Sequence, residues 1–267
     1  MTNLVRIFLP NLPHPPPMPA TVHPTLLSAE ETARFHRDGY LGPYAAVSHE
    51  EMVSIRRSID ETVLTTPGPN TKVNTTMRHL DKKVIYDLCT HPNIVGRIQG
   101  LLGPHLLLWA GTMWNKEPGG KEIPWHQDLN YWPVEPIINI TAWIAVDDVT
   151  VENSCIELIP GSHKKVVPHI KAPEGKWFEE EADRNYFDPA QRIQLPLKPG
   201  EFILFNEKTL HHSEPNRSTK RRLGIGPRFT IPIVRIDHDK LFPGHAAILV
   251  SGEDYMGFNR LTLPPTE

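Results

Sequence analysis

Hydrophobic and polar positions divide the chain into a helical opening and a long β-rich remainder. Ser28 with Glu31 and Ser48 with Glu51 have the spacing of capping boxes, in which a hydroxyl and a carboxylate each satisfy a free backbone N–H at a helix start. They predict helices over about 28–37 and 48–65, and a third follows around 91–102. From Leu106 the pattern changes to short β-rich runs at 106–116, 122–128, 137–147, 154–160, 192–197, 201–206 and 221–232. Pro118-Gly119-Gly120, Pro160-Gly161 and Pro199-Gly200 supply breaks between them. Many short strands after early helices, with no βαβ alternation and no internal repeat, predict a mainly β fold. The expected architecture is a double-stranded β-helix, a jelly-roll, cupin-like barrel with flanking helices.

Seven prolines within residues 10–24 and little periodicity make residues 1–25 a proline-rich, flexible arm, so the folded unit is expected over 26–267. A chain of this length forms one core, and no second domain is expected. The excursion over 164–191 contains Trp177, the Glu179-Glu180-Glu181 run and Asn185-Tyr186-Phe187 without a clear period. An insert of that length is expected to be a lid over the site rather than a passive loop.

Within Trp125-His126-Gln127-Asp128, the histidine and the aspartate stand two apart. If 123–129 is a strand, His126 and Asp128 face one side and Trp125 and Gln127 the other. Two neutral imidazoles and one carboxylate on one face of a metal leave its opposite face free, a geometry that suits non-haem Fe(II). The third ligand has to come from another strand, and the adjacent His211 and His212 are the candidates. On a strand they point in opposite directions, so one of the two reaches the metal, and spacing alone does not choose between them.

The stretch His211-His212-Ser213-Glu214-Pro215-Asn216-Arg217-Ser218-Thr219-Lys220-Arg221-Arg222 resembles the signature of the phytanoyl-CoA dioxygenase family, His-x-Ser-x-x-Asn-x-Ser/Thr-x-x-x-Arg. Only the register that starts at His211 fits. The resemblance covers roughly residues 30–235 and includes, in family order, Trp125–Asp128, Tyr131-Trp132-Pro133, Thr141-Ala142-Trp143-Ile144-Ala145 and Ile159-Pro160-Gly161-Ser162-His163. It implies Fe(II) on His126, Asp128 and His211, with Arg222 on the distal carboxylate of the cosubstrate 2-oxoglutarate. It further implies O2 as oxidant, release of succinate and CO2, and oxidation of a small-molecule C–H bond by hydroxylation, desaturation or ring formation. Related halogenases lack the carboxylate ligand, so the presence of Asp128 favours these outcomes over halogenation. One departure is Glu152-Asn153-Ser154-Cys155, where relatives commonly carry glycine at the serine; this weakens a turn and leaves the metal ligands untouched.

Strand parity adds to the picture. An extended run from 222 puts Arg222, Gly224, Gly226, Arg228 and Thr230 on one face, a good wall for an anion because guanidinium grips carboxylate bidentately and glycine leaves room. Arg217, Lys220 and Arg221 read as exposed surface cations. Over 137–146 the apolar Ile138, Ile140, Ala142 and Ile144 oppose Asn139, Thr141 and Trp143, which become candidates to contact the cosubstrate. Trp114, Tyr131 and Trp132 are candidates for an aromatic wall around the substrate, with Arg228 or Asn115 reading a polar or anionic group. His163 reads as a turn residue, and His14, His23 and His105 fall outside any ligand pattern.

Composition narrows the partners to small molecules. A net charge of −3 gives no general attraction to nucleic acid or to an anionic membrane, and no segment has the roughly 20 apolar residues that span a bilayer. Cys89 and Cys155 do not suggest a disulfide framework, and no export signal is visible, so a reducing, cytoplasmic setting is expected. The sequence leaves the oligomeric state and the substrate open; the resemblance leans towards a specialised metabolite or a small polar molecule. Two other classes share parts of the pattern: a metal-binding cupin-like sensor without turnover, and a zinc hydrolase, which would have no use for the downstream arginine.

Overall fold

Capping chemistry starts the helices as the sequence requires. The computed structural model describes residues 26–267, so the arm expected over 1–25 lies outside the described residues. Ser28 opens Ala29–Asp38 and Ser48 opens His49–Ser58, each with both halves of the capping box formed. The first helix stops at Gly39, whose φ of 80° a side chain would oppose. The helix expected to run to 65 is α-helical only to Ser58 and passes into a π turn, Ile59–Val63. An unforeseen helix, Lys83–Cys89, has no side-chain cap at its start; burial of Ile85, Leu88 and Cys89 in the main core holds it instead. Pro92–Leu102 follows, with proline in its first turn and His91 capping the N–H of Asn93.

Two antiparallel sheets form the body, the jelly-roll that the strand pattern predicts. The larger has the order Tyr40–Ala45, Glu201–Asn206, Ile140–Ala145, Arg222–Thr230, Leu106–Lys116, Ala247–Ser251, Leu261–Thr262, with only the last pair parallel. The smaller runs Ile123–His126, His211–Ser213, Ile156–Leu158, Ile193–Leu195. Alternation along the large sheet sends Ile140, Ala142, Ile144, Leu223, Ile225 and Phe229 into the core shared with the helices, where Phe35, Met52, Ile59 and Ile94 meet them. Burying a side chain of this size contributes about 1.5–3 kcal/mol, so this layer fixes the register of the sheet. The opposite face of the same strands carries Thr141, Trp143, Arg222 and Arg228 towards a cavity that the small sheet closes with Ile123, His126, Ile156 and His211.

Arg221 is not a free surface cation. Its guanidinium bonds both oxygens of Asp147 and pairs with Asp60 of the π turn at 2.6 Å. Asp147 also accepts the backbone N–H of Leu223 and pairs with Arg56 at 2.7 Å. One buried carboxylate therefore ties the start of the Arg222–Thr230 strand to the helices, which steadies the position of the residue next along the chain, Arg222.

Candidate metal centre

His126 ends its strand directly opposite His211 in the small sheet, with the two rings 4.1 Å apart. Asp128 does not continue that strand, contrary to the expectation for 123–129. The chain turns at Gln127 into a short 3₁₀ turn, Asp128–Asn130, and this turn brings Asp128 Oδ1 to 3.6 Å from His126 Nε2. The donor atoms of His126, Asp128 and His211 all lie within 4.8 Å of one another, and all three residues are buried.

Local hydrogen bonds set both imidazoles for a metal. His126 Nδ1 lies 2.8 Å from the carbonyl of Pro124, and His211 Nδ1 lies 2.9 Å from that of Thr209. A carbonyl only accepts, so each neutral ring carries its proton on Nδ1 and leaves the Nε2 lone pair free. Burial, with the neighbouring His126 adding to it, pushes the His211 imidazole down to about 3 and keeps it neutral. Burial works against ionising Asp128, but His126, His211 and Arg228 outweigh it, and the carboxyl stays below its usual range. Asp128 Oδ2 is buried with no protein partner. Two neutral nitrogens and an orphaned carboxylate oxygen fit Fe(II).

The neighbouring histidine points elsewhere. His212 Nε2 lies 2.7 Å from Glu157 Oε2, and its ring stacks on Trp125 with centroids 4.0 Å apart. Glu157 also takes Arg192 at 2.7 Å and Gln194 at 2.7 Å, so the second grouping, Glu157, His212 and Glu214, contains a carboxylate already committed to a tie across strands.

Arg222 shares one cavity with His126, Asp128, His211, Thr141 and Trp143. It is 1 % exposed, and no carboxylate among the described residues forms an ion pair with it. Nη1 reaches only the Trp114 carbonyl, at 3.4 Å, and Nε has no partner. Burial pushes this guanidinium down to about 10. The room left by Gly224 is used differently from the sequence reading: a Cβ there would come within 2.2 Å of the Trp143 ring, so the tryptophan occupies that space. Trp143 in turn lies 5.4 Å from the Arg222 guanidinium carbon and props it. A buried cation with no ion-pair partner beside the candidate metal triad fits a ligand that brings a carboxylate, such as 2-oxoglutarate.

The remaining candidates divide by position. Trp114, Tyr131, Trp132 and Arg228 line a second, outer cavity that shares Trp114, Asp128 and Arg228 with the first. Asn115, one residue off the parity of Trp114, lines neither; its side-chain amide donates to Glu117. Asn139 has the parity of Thr141, but its Oδ1 accepts from Trp109 Nε1 at 2.7 Å and it borders neither cavity. The insert forms a hairpin, His169–Lys171 with Glu180–Ala182, and the residues between its strands reach the site: the Phe178 ring lies 4.9 Å from His126 and 5.2 Å from Tyr131. His163 sits in a turn and lies 3.2 Å from the His36 carbonyl.

Lys116 escapes sequence reading, because a lysine ordinarily reads as surface. It is 2 % exposed and donates to Ser154 Oγ at 2.9 Å, Ser213 Oγ at 2.7 Å and the Glu214 carbonyl at 2.8 Å. This ties the end of Leu106–Lys116 to the strand that carries His211. Ser154, which replaces the usual glycine, keeps a glycine-like φ of 82°.

The phytanoyl-CoA dioxygenase (PhyH) family model matches residues 35–224. A probable phytanoyl-CoA dioxygenase of Caenorhabditis elegans is 29% identical over 156 residues, 54% of this chain and 50% of that protein. The chain thus spans about half the length of the first such relatives it matches. A probable alpha-ketoglutarate-dependent hypophosphite dioxygenase of Stutzerimonas stutzeri is 27% identical over 255 residues, 91% of this chain and 85% of that one. Among solved structures, CytC3 with Fe(II) and alpha-ketoglutarate is 28% identical, with a TM-score of 0.68 over 89% of this chain and 93% of that chain. A family match that runs through the strand of His126 and extends past Arg222 places this chain in the phytanoyl-CoA dioxygenase family.

Proposed function

We propose that this protein is an Fe(II)- and 2-oxoglutarate-dependent oxygenase that oxidises a C–H bond of a small organic molecule, with succinate and CO2 as co-products. The observation that carries the proposal is the buried, uncompensated Arg222 in the same cavity as the His126, Asp128 and His211 triad. A metal site alone would have no need of that cation. Membership of the family and the resemblance to a structure holding both Fe(II) and alpha-ketoglutarate support the same reading.

When bound, iron and 2-oxoglutarate together supply the oxidising chemistry. The chain's residues do the placing. His126 and His211 offer Nε2 because backbone carbonyls hold their other protons, and Asp128 offers a charged oxygen with no competing partner. Arg222 takes the far carboxylate and Thr141 lies beside it in the cavity. Phe178 and Trp177 of the insert act as a lid, placing apolar surface over His126 and Trp114 and so keeping water from the reacting side of the metal. A specialised-metabolite setting belongs to this proposal.

An anaerobic titration with Fe(II) and 2-oxoglutarate tests it. A weak visible charge-transfer band that needs both components, and that is lost in Asp128→Ala, is the expected result. Tight zinc binding with no such band would overturn the reading in favour of a hydrolase or a binding protein. No helix among the described residues is long and apolar enough to cross a membrane.

A further inference from the structure

Beyond the metal cavity lies the outer, larger one, which shares Trp114, Asp128 and Arg228 with it. Its walls are strongly apolar and aromatic: Trp109, Trp132, Trp114, Tyr131, Phe178 and Phe242 all border it. Its mouth is apolar too, since Val73, Tyr131 and Trp177 line it while remaining 47 %, 37 % and 47 % exposed. Large apolar side chains left in water at one opening mark a surface that a ligand covers.

The charges inside are few and unequal. Asp128 and Arg228 are the only carboxylate and the only cation among its lining residues. Asp128 is assigned to the metal and acts on Arg228 only through space, and no carboxylate among the described residues forms an ion pair with Arg228. Arg228 is 6 % exposed and rigidly held: Nη1 bonds Thr112 Oγ1 at 3.0 Å, and the guanidinium carbon lies 4.7 Å from the centre of the Trp132 ring. Trp132 is itself braced edge-on by Trp109, with centroids 5.5 Å apart. Arg228 Nε is buried and has no partner, so the edge of the guanidinium suited to a two-point grip on an acid is unspent. A cationic substrate would meet this arginine and find no free carboxylate. A neutral one would leave a buried charge unpaired, which costs stability.

We propose that the outer cavity binds a ring-bearing, largely apolar small molecule carrying one carboxylate-type acid group, docked on Arg228 with its ring system among the tryptophans. The acid then fixes which carbons stand next to the metal face, since Arg228 and Asp128 border both cavities. This assigns a substrate class within the oxygenase reading and rests on it, and it replaces the small polar molecule considered from sequence with an apolar acid.

The test compares 2-naphthoate with its near-isosteric amide, 2-naphthamide, by calorimetric titration of the protein loaded with zinc and saturating 2-oxoglutarate, which prevents turnover and fills the Arg222 site. The expected result is an acid that binds about tenfold or more tighter than the amide, the usual size of one charge-assisted contact. The preference disappears in Arg228→Met and is reduced in Arg228→Lys, which keeps the charge but loses the fork. The wild-type comparison needs no variant, so a variant that fails to fold leaves the proposal refutable. Equal affinities, a preference that survives both substitutions, or binding of neither probe would overturn it. Loading of zinc and 2-oxoglutarate is read in the same experiment, and its failure counts against the oxygenase reading; the acid and amide are then compared on metal-free protein by the same criterion.

Discussion

Replacing Arg222 by leucine sets two effects of opposite sign against each other. In the metal-free, cosubstrate-free protein the guanidinium is buried, unpaired and pushed down to about 10 from its usual 12.5. At about 1.4 kcal/mol per pH unit, that displacement corresponds to roughly 3 kcal/mol of destabilisation while the group is charged. The sign follows from linkage: the unfolded chain holds this proton more tightly, so the penalty is fully present at neutral pH and is relieved only as pH rises through 10. Losing the contact with Trp143 gives back about 1 kcal/mol, which leaves a net gain of about 2 kcal/mol for Arg222→Leu. For a chain of this size, that raises the melting temperature by roughly 4–8 °C, measured by calorimetry at pH 7.5. With metal present, the same variant loses a charge-assisted bidentate contact in a dry cavity, worth about 1.5–3 kcal/mol, so affinity for 2-oxoglutarate falls by roughly 10- to 200-fold. A variant that melts lower than wild type and binds 2-oxoglutarate equally well would refute the argument that this cation waits for an anion.

Other substitutions probe the surroundings. His211→Ala abolishes tight Fe(II) binding, whereas His212→Ala retains it and melts lower, because removing one of the three partners of the buried Glu157 costs about 1–3 kcal/mol; metal titration and thermal melts on the same samples read both. Burial raises the Glu207 carboxyl to about 7 and leaves Oε2 without a partner. The folded state therefore holds that proton more tightly than the unfolded chain, and stability falls as pH rises from the unfolded value through 7. Glu207→Gln is expected to flatten that slope and to gain at most about 3 kcal/mol at pH 8 in denaturant titrations. Ser154→Ala keeps the left-handed backbone strain and loses the bonds to Lys116 and Glu214, while Ser154→Gly loses the bonds but relieves the strain. The alanine variant should be the less stable by about 1 kcal/mol in the same assay, and equal stabilities would remove the strain from the account.

Much of the grouping of candidate residues is legible in the sequence because it depends on local parity and on motif order. His126 and Arg222 lie on strands where alternate residues face one way, and the signature register separates His211 from His212. Asp128 comes beside His126 by a turn rather than by strand parity, a distinction that the residue names do not carry. Parity also misleads where depth decides. Asn139 faces the same way as Thr141 but lies beside Trp109, and that indole takes its amide oxygen. Arg221 reads as surface because its partners, Asp147 and Asp60, come from distant parts of the chain. Lys83–Cys89 carries no start signal and is helical because the core pulls on three of its residues. Lys116 and Phe178 escape for a common reason: their partners are assembled by the sheet and the insert, and nothing adjacent in sequence announces them.

The pairing of His126 opposite His211 across two strands has a consequence for the making of the protein. A nascent chain that has not yet exposed His211 holds only the His126 and Asp128 donors, and Arg222 emerges later still. The complete triad exists only after the strand His211–Ser213 has docked between Ile123–His126 and Ile156–Leu158. With these three as ligands, metal capture would be a late event that reports correct closure of the small sheet, and an unfinished or misregistered chain would have no full set of donors with which to hold a redox-active ion against its own exposed interior.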